Sequence, residues 1–466
     1  MKKLLSILLV VFLICVLSLF AIGCSQKPDD TPTVHTHTFE NGVCTSCGDK
    51  KGTDGLKFTA LDDGNYSVSA GTAKTASEII VPRTHEGGLV TAIAKDGFKD
   101  CKQLTSIDLP TSIASIGAYA FRNCNALTSI VIPQGVPSIG SSTFYKCFSL
   151  ESIVIPSSVQ NISDSAFREC TSLTTITIPS GVTSVGNYQF YGCTALESIS
   201  LPVGITSIGS YAFHGCSALA TFSIPNTVNY IGSNAFDGCT SLTYTEKDGM
   251  NFLGDATNPY LYLAGAVDKN ITTVNLSNIG TKIIGPSAFE DCTSLTSVTF
   301  SNNINTIGIS AFAGCTGLTS IVLPNGITEI ESGTFNECTN LRTVTLPNNL
   351  LIIGDIAFYG CSSLQSITFP ETLTTIGLSS FRKCISLTSV IIPLSVTCIK
   401  SYAFAEHGHK DKTTGEIIGS GSFRAYIRAQ RPENNNAYLP GWDYNWFYTG
   451  TSSLSGFGYT WGYTGD

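Results

Sequence analysis

Hydrophobic positions along this chain recur on a fixed period. Set each repeat cysteine at zero. Phe then stands at −3, Leu at +3, and aliphatic or other apolar residues at +6, +8, +12 and +15, as in Phe98, Leu104, Ile107, Leu109, Ile113 and Ile116. The cysteines fall at 101, 124, 147, 170, 193, 216 and 239, then at 292, 315, 338, 361 and 384. The step is 23 residues, broken by one gap of 53, which is a 23-residue unit plus one of 30. Written out, the unit is C-x-x-L-x-x-I-x-I-P-x-x-V-x-x-I-G-x-x-A-F-x-x. One such unit cannot bury its own apolar face, so neighbours must stack on it. L-x-x-I-x-I predicts a short strand with alternate side chains inward. Proline at +9 ends it, because it has no N–H to give a ladder. I-G-x-x-A-F-x-x-C predicts a turn followed by a short helical or 3₁₀ segment. Strands of successive units are expected in parallel, about 4.8 Å apart. The expected fold is an α+β repeat solenoid.

The flanks differ. Residues 56–97 open with "LKFTALDDGNYSVSAG", alternating around Asp63-Gly64, which predicts a β-hairpin in an N-terminal cap followed by a first partial repeat. The solenoid spans 98–405, with an irregular longer unit at 243–288. The period fails after Phe404, and His407 stands where the next cysteine would fall. Residues 406–466 read as a cap and tail, with Trp442, Tyr444 and Trp446 shielding the last apolar face. The alternative for these aromatics is a platform on which sugars stack. At the other end, Met1-Lys2-Lys3, the apolar run Leu4–Phe20 and the small residues before Cys24 describe a secretory signal over 1–23. The alternative is an uncleaved membrane anchor. Residues 24–34, polar and carrying two prolines, read as a tether.

Composition narrows the function. The 466 residues are 42% hydrophobic and 10% aromatic, which excludes a disordered chain. Only 13% are charged and the net charge is −8, so nucleic acid is not an expected partner. The six histidines stand in no metalloprotease motif, and no nucleophile elbow or P-loop occurs, so no enzyme is expected. The repeat cysteines read as small buried fillers. In-register stacking keeps their Cβ atoms near 5 Å, beyond the ~3.8 Å a disulfide prefers, so free thiols are expected. They lack the CxxC pairing of metal sites.

One pair does have that spacing. "HTHTFENGVCTSCGDKK" places His35 and His37 ahead of Cys44-x-x-Cys47-Gly48, the ligand types of a tetrahedral structural zinc, within a knuckle and linker over 35–55. The alternative is a flexible tether whose two cysteines pair or stay reduced. The segment resembles short CxxC ribbons beside the lipid anchor of other surface lipoproteins.

Two resemblances extend the picture. Gly23-Cys24 makes the N-terminus similar to a bacterial lipoprotein signal, which implies lipidation of Cys24 and a membrane attachment outside the cytoplasm. The repeat, as in "IPSGVTSVGNYQFYGCTALESISLP", resembles the BspA-type leucine-rich-repeat proteins of bacterial surfaces over roughly residues 56–448. "MNFLGDATNPYLYLA" (250–264) resembles an insertion of that family. The resemblance implies a leucine-rich-repeat stack and cell-surface attachment, with host extracellular-matrix or microbial surface proteins, or glycans, as partners. The candidate face for them is the outward column of the strands: Ser106, Ser129, Ser152, Thr175, Thr177, Ser198, Ser200, Thr221 and Ser223. These hydroxyls form a broad polar surface for an extended partner, or simply suit a stacked sheet.

Overall fold

The computed structural model describes residues 38–46 and 48–405, and the strands His409–Lys410, Ile417–Ile418, Arg424–Ile427 and Gly458–Trp461. The signal, the tether and the aromatic cap lie outside the described residues. Residues 1–50 and 51–466 are separate compact units.

In the first unit, Phe39–Glu40 pairs antiparallel with Val43–Cys44. Asn41 (φ 51) and Gly42 (φ 78) link them. Asn-Gly is the pair a two-residue hairpin turn demands, because both central residues need positive φ. The Cys44 N–H donates to Asp49 O at 2.8 Å and the Gly48 N–H to Cys44 O at 2.9 Å, folding the chain back over the cysteine turn.

In the second unit the expected hairpin is present, with Lys57–Ala60 antiparallel to Tyr66–Ser69. Tyr66–Ser69 pairs in parallel with Gly88–Ile93, and that strand with Ser115–Ile116. From there the regular units lay down three layers of cross-unit hydrogen bonding, the strand layers pairing in short separate sheets. The first is the expected strand at +5 to +7, in strict 23-residue register, as in Ser129↔Ser152 and Thr175↔Ser198. The second is a two-residue strand at +14 and +15, as in Ser138↔Asn161 and Ile139↔Ile162. The +12 and +15 positions had signalled only burial, so this second ladder was not expected.

The third layer corrects the α+β expectation. The described residues contain one 3₁₀ helix, Gly71–Thr75, ahead of the repeats, and no α-helix. The expected helical segment is a string of consecutive turns. Ala212 N–H donates to Gly209 O, His214 to Tyr211, Cys216 to Phe213 and Leu219 to Cys216. Residues at −5 and −1 are left-handed, for example Tyr211 (φ 56) and Gly215 (φ 73), and each ends a helical turn before the next can form. The N–H groups at −5, −3 and −1 cross to the next unit instead: Tyr211 to Ser233 O, Phe213 to Ala235 O and Gly215 to Asp237 O.

Between the three layers lies the core. Leu127, Val136, Ile139, Phe144 and Cys147 are fully buried. The Phe rings stack from unit to unit, Phe98 on Phe121 at 5.5 Å and Phe121 on Phe144 at 5.4 Å, nearly parallel. Offset parallel rings at this spacing add to the area they bury. The irregular unit divides the core into two clusters, because its hairpin of Met250–Leu253 with Tyr262–Ala266 turns Met250 and Phe252 to one side and Leu253 and Tyr262 to the other.

Candidate interaction surfaces

The serine and threonine column is where its spacing placed it. Ser106, Ser129, Ser152, Thr175, Thr177, Ser198, Ser200, Thr221 and Ser223 are all exposed. Alternation forces this, since the residue between each outward pair, such as Ile176 or Ile199, is buried. The face is less uniform than a hydroxyl sheet. At +7 it carries Val131, Val154 and Val322, each more than half exposed, and Val131 lies in register with Val154.

A second surface lies on the turn layer and was missed in the sequence. Its side chains come from −5 and −2, where the left-handed residue turns the chain outward. The Arg168 guanidinium carbon lies 5.5 Å from the Tyr145 ring, 5.3 Å from Tyr188 and 4.7 Å from Tyr191. Arg122 lies 5.7 Å from Tyr119 and 5.0 Å from Tyr145. Tyr188 stacks on Tyr211 at 4.9 Å, and Tyr191 on His214 at 4.8 Å. His214 Nδ1 stands 3.4 Å from Asp237 Oδ2. The result is a continuous ridge of rings and cations crossing the units from Cys124 to Cys239. Each cation–ring contact at such a half-exposed site is worth about 0.5–1 kcal/mol.

Charge on the ridge is partly balanced. Lys146 Nζ lies 3.8 Å from Glu169 Oε2, and Arg168 Nε lies 3.5 Å from Glu169 Oε1. The second contact is close enough for ion-pair attraction but is not aligned as a hydrogen bond, and the Arg168 and Arg122 Nε atoms make none. His214 is a ring in a stack. Reading the −5 and −2 columns side by side would have found the ridge, because adjacent units there carry Tyr119, Arg122, Tyr145, Arg168, Tyr188, Tyr191, Tyr211 and His214.

Of the expected zinc ligands, Cys44 is described and buried, while His35, His37 and Cys47 lie outside the described residues. Cys24 and the aromatic set Trp442, Tyr444 and Trp446 lie outside them too. Among the described residues, no helix is long and apolar enough to cross a membrane.

The repeat cysteines are buried and unpaired to one another, as expected. Burial pushes the Cys147 and Cys193 thiols up to about 12 and the Cys101 thiol to about 11. They also do something a filler does not. From Cys124 to Cys239 and from Cys315 to Cys384, the Sγ donates to the carbonyl oxygen of the Phe 26 residues earlier, as in Cys147 to Phe121 at 3.2 Å and Cys170 to Phe144 at 3.1 Å.

A stacked array of 23-residue units, with parallel strands and a ring-and-leucine core, defines a leucine-rich-repeat solenoid. The chain belongs to the BspA type leucine rich repeat family, whose profile matches residues 91–193, 137–255 and 269–410. It is similar to a leucine rich cell surface protein of Faecalibacterium prausnitzii, at 31% identity over 72% of this chain and 93% of that one, with a TM-score of 0.43. A leucine-rich repeat protein of Bacteroides ovatus is 25% identical over 88% of this chain and 98% of that one, with a TM-score of 0.39. The pneumococcal vaccine antigen PcpA is 19% identical over 81% and 93% of the two chains, with a TM-score of 0.34. No curated protein matches the chain.

Proposed function

We propose that this protein is a lipid-anchored, adhesin-like binding protein of the cell exterior, which holds host or microbial surface proteins noncovalently through the ring-and-cation ridge. The observation that carries the reading is the Arg168 guanidinium set among Tyr145, Tyr188 and Tyr191. Tyr and Arg are the residues in which protein-binding energy concentrates. Here their neighbours already hold them, so little side-chain freedom remains to be lost on binding. The exposed hydroxyl column and its valines supply a second, shallower contact. Cys24 takes the lipid. His35, His37, Cys44 and Cys47 hold a structural zinc at the base of the tether; the tight turn between Cys44 and Asp49 supports this part of the reading. Zinc stoichiometry of the purified protein tests it, and a value near zero would remove the metal.

The binding reading is tested by screening the secreted chain against matrix proteins, mucins and glycans. Two variants run beside it, each first shown to fold by circular dichroism. In one, Tyr145→Ala, Arg168→Ala and Tyr191→Ala strip the ridge. In the other, Thr177→Arg, Ser200→Arg and Ser223→Arg block the hydroxyl column. The ridge variant should lose at least about tenfold in affinity for a protein partner. Loss confined to the column variant would move the site to the sheet. Absence of any partner would leave a passive envelope spacer.

A further inference from the structure

The turn layer is missing one rung. In the units closed by Cys101 through Cys216, and by Cys292 through Cys384, the N–H groups at −5, −3 and −1 all donate to the following unit. In the unit closed by Cys239 the same three groups belong to Asn234, Phe236 and Gly238, and none has an acceptor among the described residues. The cause is the 30-residue unit that follows. Ala266 stands in the place of its Phe, and its N–H donates to Ala288 O at 2.9 Å as a Phe N–H would. The residues before it run straight on as the strand Tyr262–Ala266, committed to Met250–Leu253 on one side and Ile283–Ile284 on the other. An extended strand cannot make the left-handed turn that would bring its carbonyls back to Asn234–Gly238.

A cavity of about 470 Å³ occupies the vacant place, with Asn234–Thr240 on one wall and Tyr262, Ala264, Pro286 and Ser287 among its other lining residues. The core is thinner there as well. Phe236, Cys239 and Leu242 are 7–8% exposed, whereas Phe213, Cys216 and Leu219 one unit earlier are fully buried.

We propose that this gap docks one segment of a partner polypeptide, whose backbone carbonyls take the three open N–H groups, as an added strand does at a sheet edge. Three donors at alternate residues match a peptide backbone, and in the units closed by Cys101 through Cys216 and by Cys292 through Cys384 the rung is filled by one. One missing rung corresponds to one added chain, since ladder neighbours lie about 4.8 Å apart. The only charged residue lining it is Asp237, which disfavours an anion and leaves neutral carbonyls as the fitting acceptors. Tyr262 meets Phe236 edge-on at 5.7 Å, in the place where another unit's Phe would stack. The docking segment is therefore uncharged and rich in Gly, Ala and Ser. Asp237 also ends the ring-and-cation ridge through His214, yet the gap is a separate site and does not depend on that surface.

Hydrogen exchange on the full chain is the first test. The amides of Asn234, Phe236 and Gly238 should exchange at least about 100-fold faster than those of Tyr211, Phe213 and Gly215, their counterparts one unit earlier. Equal protection would overturn the proposal, because the rung would then be filled. The second test selects binders from a library of displayed random dodecapeptides. A selected peptide of small uncharged residues should slow exchange at all three amides. It should also bind at least about tenfold more weakly to Ala264→Trp and to Thr240→Trp, the latter made at an exposed residue in case the former does not fold. Val203→Trp, remote and exposed, should bind it unchanged. Three other outcomes would each overturn the proposal: no peptide sensitive to either blocking variant, a glycan that is sensitive in its place, or self-association of the chain lost on blocking.

Discussion

The Cys216 thiol stands 3.1 Å from the backbone oxygen of Phe190, 26 residues earlier, and donates to it. The same oxygen accepts the Cys193 N–H at 3.1 Å. A buried carbonyl has two lone pairs, and the stack satisfies both, one within its own unit and one from the next. The relation recurs from Cys124 on Phe98 to Cys239 on Phe213, and from Cys315 on Phe289 to Cys384 on Phe358.

This changes what a serine should do at that site. Cys216→Ala should cost about 1–2 kcal/mol through lost contacts and a small cavity, since Phe190 O keeps its other partner. Cys216→Ser should cost no more than the alanine, because its hydroxyl finds the same acceptor. Thermal melts of both variants decide it. A serine markedly worse than alanine would mean that the thiol is only a filler.

Burial should also make the ladder chemically silent. With the Cys193 and Cys239 thiols held up to about 12 by burial, almost no thiolate exists at pH 8. Cys398, which stands outside the ladder at +14 of Cys384, is half-buried. Alkylation of the native protein followed by peptide mapping should mark Cys398 and spare the ladder from Cys101 to Cys384. Labelling of the ladder should appear only in denaturant.

Backbone strain is stored at Ile356, which sits at φ 50 in the −5 position where neighbouring units place Ser310, Gly333 and Ser379. A β-branched residue is poorly suited to the left-handed region. Its side chain is 36% exposed, so little packing is lost on replacement. Ile356→Asn should stabilise by about 0.5–1 kcal/mol, read as a rise in the unfolding midpoint. A fall would mean that Ile356 packs better than its exposure implies.

Stability should depend on Glu331. It follows Glu329–Ile330 with a buried Ile330 between the two glutamates, so both carboxyls share one face. Burial, reinforced by Glu329, holds the Glu331 carboxyl up at about 7, above its ordinary 4.5. Below pH 4.5 it is protonated folded or unfolded, and contributes no pH dependence. Between 4.5 and 7 the unfolded chain ionises first, so stability falls as pH rises, and the loss is complete above 7. Glu331→Gln should therefore change little at pH 4 and stabilise by about 1–2 kcal/mol at pH 8, after allowance for partial exposure. An equal effect at both pH values would contradict the shift.

Much of the architecture is legible in the columns. Phe121, Leu127, Ile130 and Cys124 are buried because a 23-residue period puts them on the inner side of every unit, and burial follows from local spacing alone. The outward Ser129 and Thr175 follow from alternation. Asn41-Gly42 carries its hairpin with equal clarity, since both residues take the positive φ that a two-residue turn needs. The turn layer was harder to read. Gly192 and Gly215 hint at a left-handed −1 position, but Lys146 and Glu169 occupy the same place with φ 61 and 58, held there by the cross-unit hydrogen bonds.

The sequence by itself determined the stack: its period, its core columns, its outward columns and the place where the period breaks. Tertiary structure alone decided which groups meet across units. The Cys216 donor finds Phe190, Arg168 finds rings from two neighbouring units, and Asn234, Phe236 and Gly238 find no acceptor among the described residues. Hydrophobic burial depends on which side of a unit a residue occupies, and that is written in local spacing. Hydrogen bonds and ring contacts depend on direction and distance to a group in another unit, and those exist only once the units are stacked.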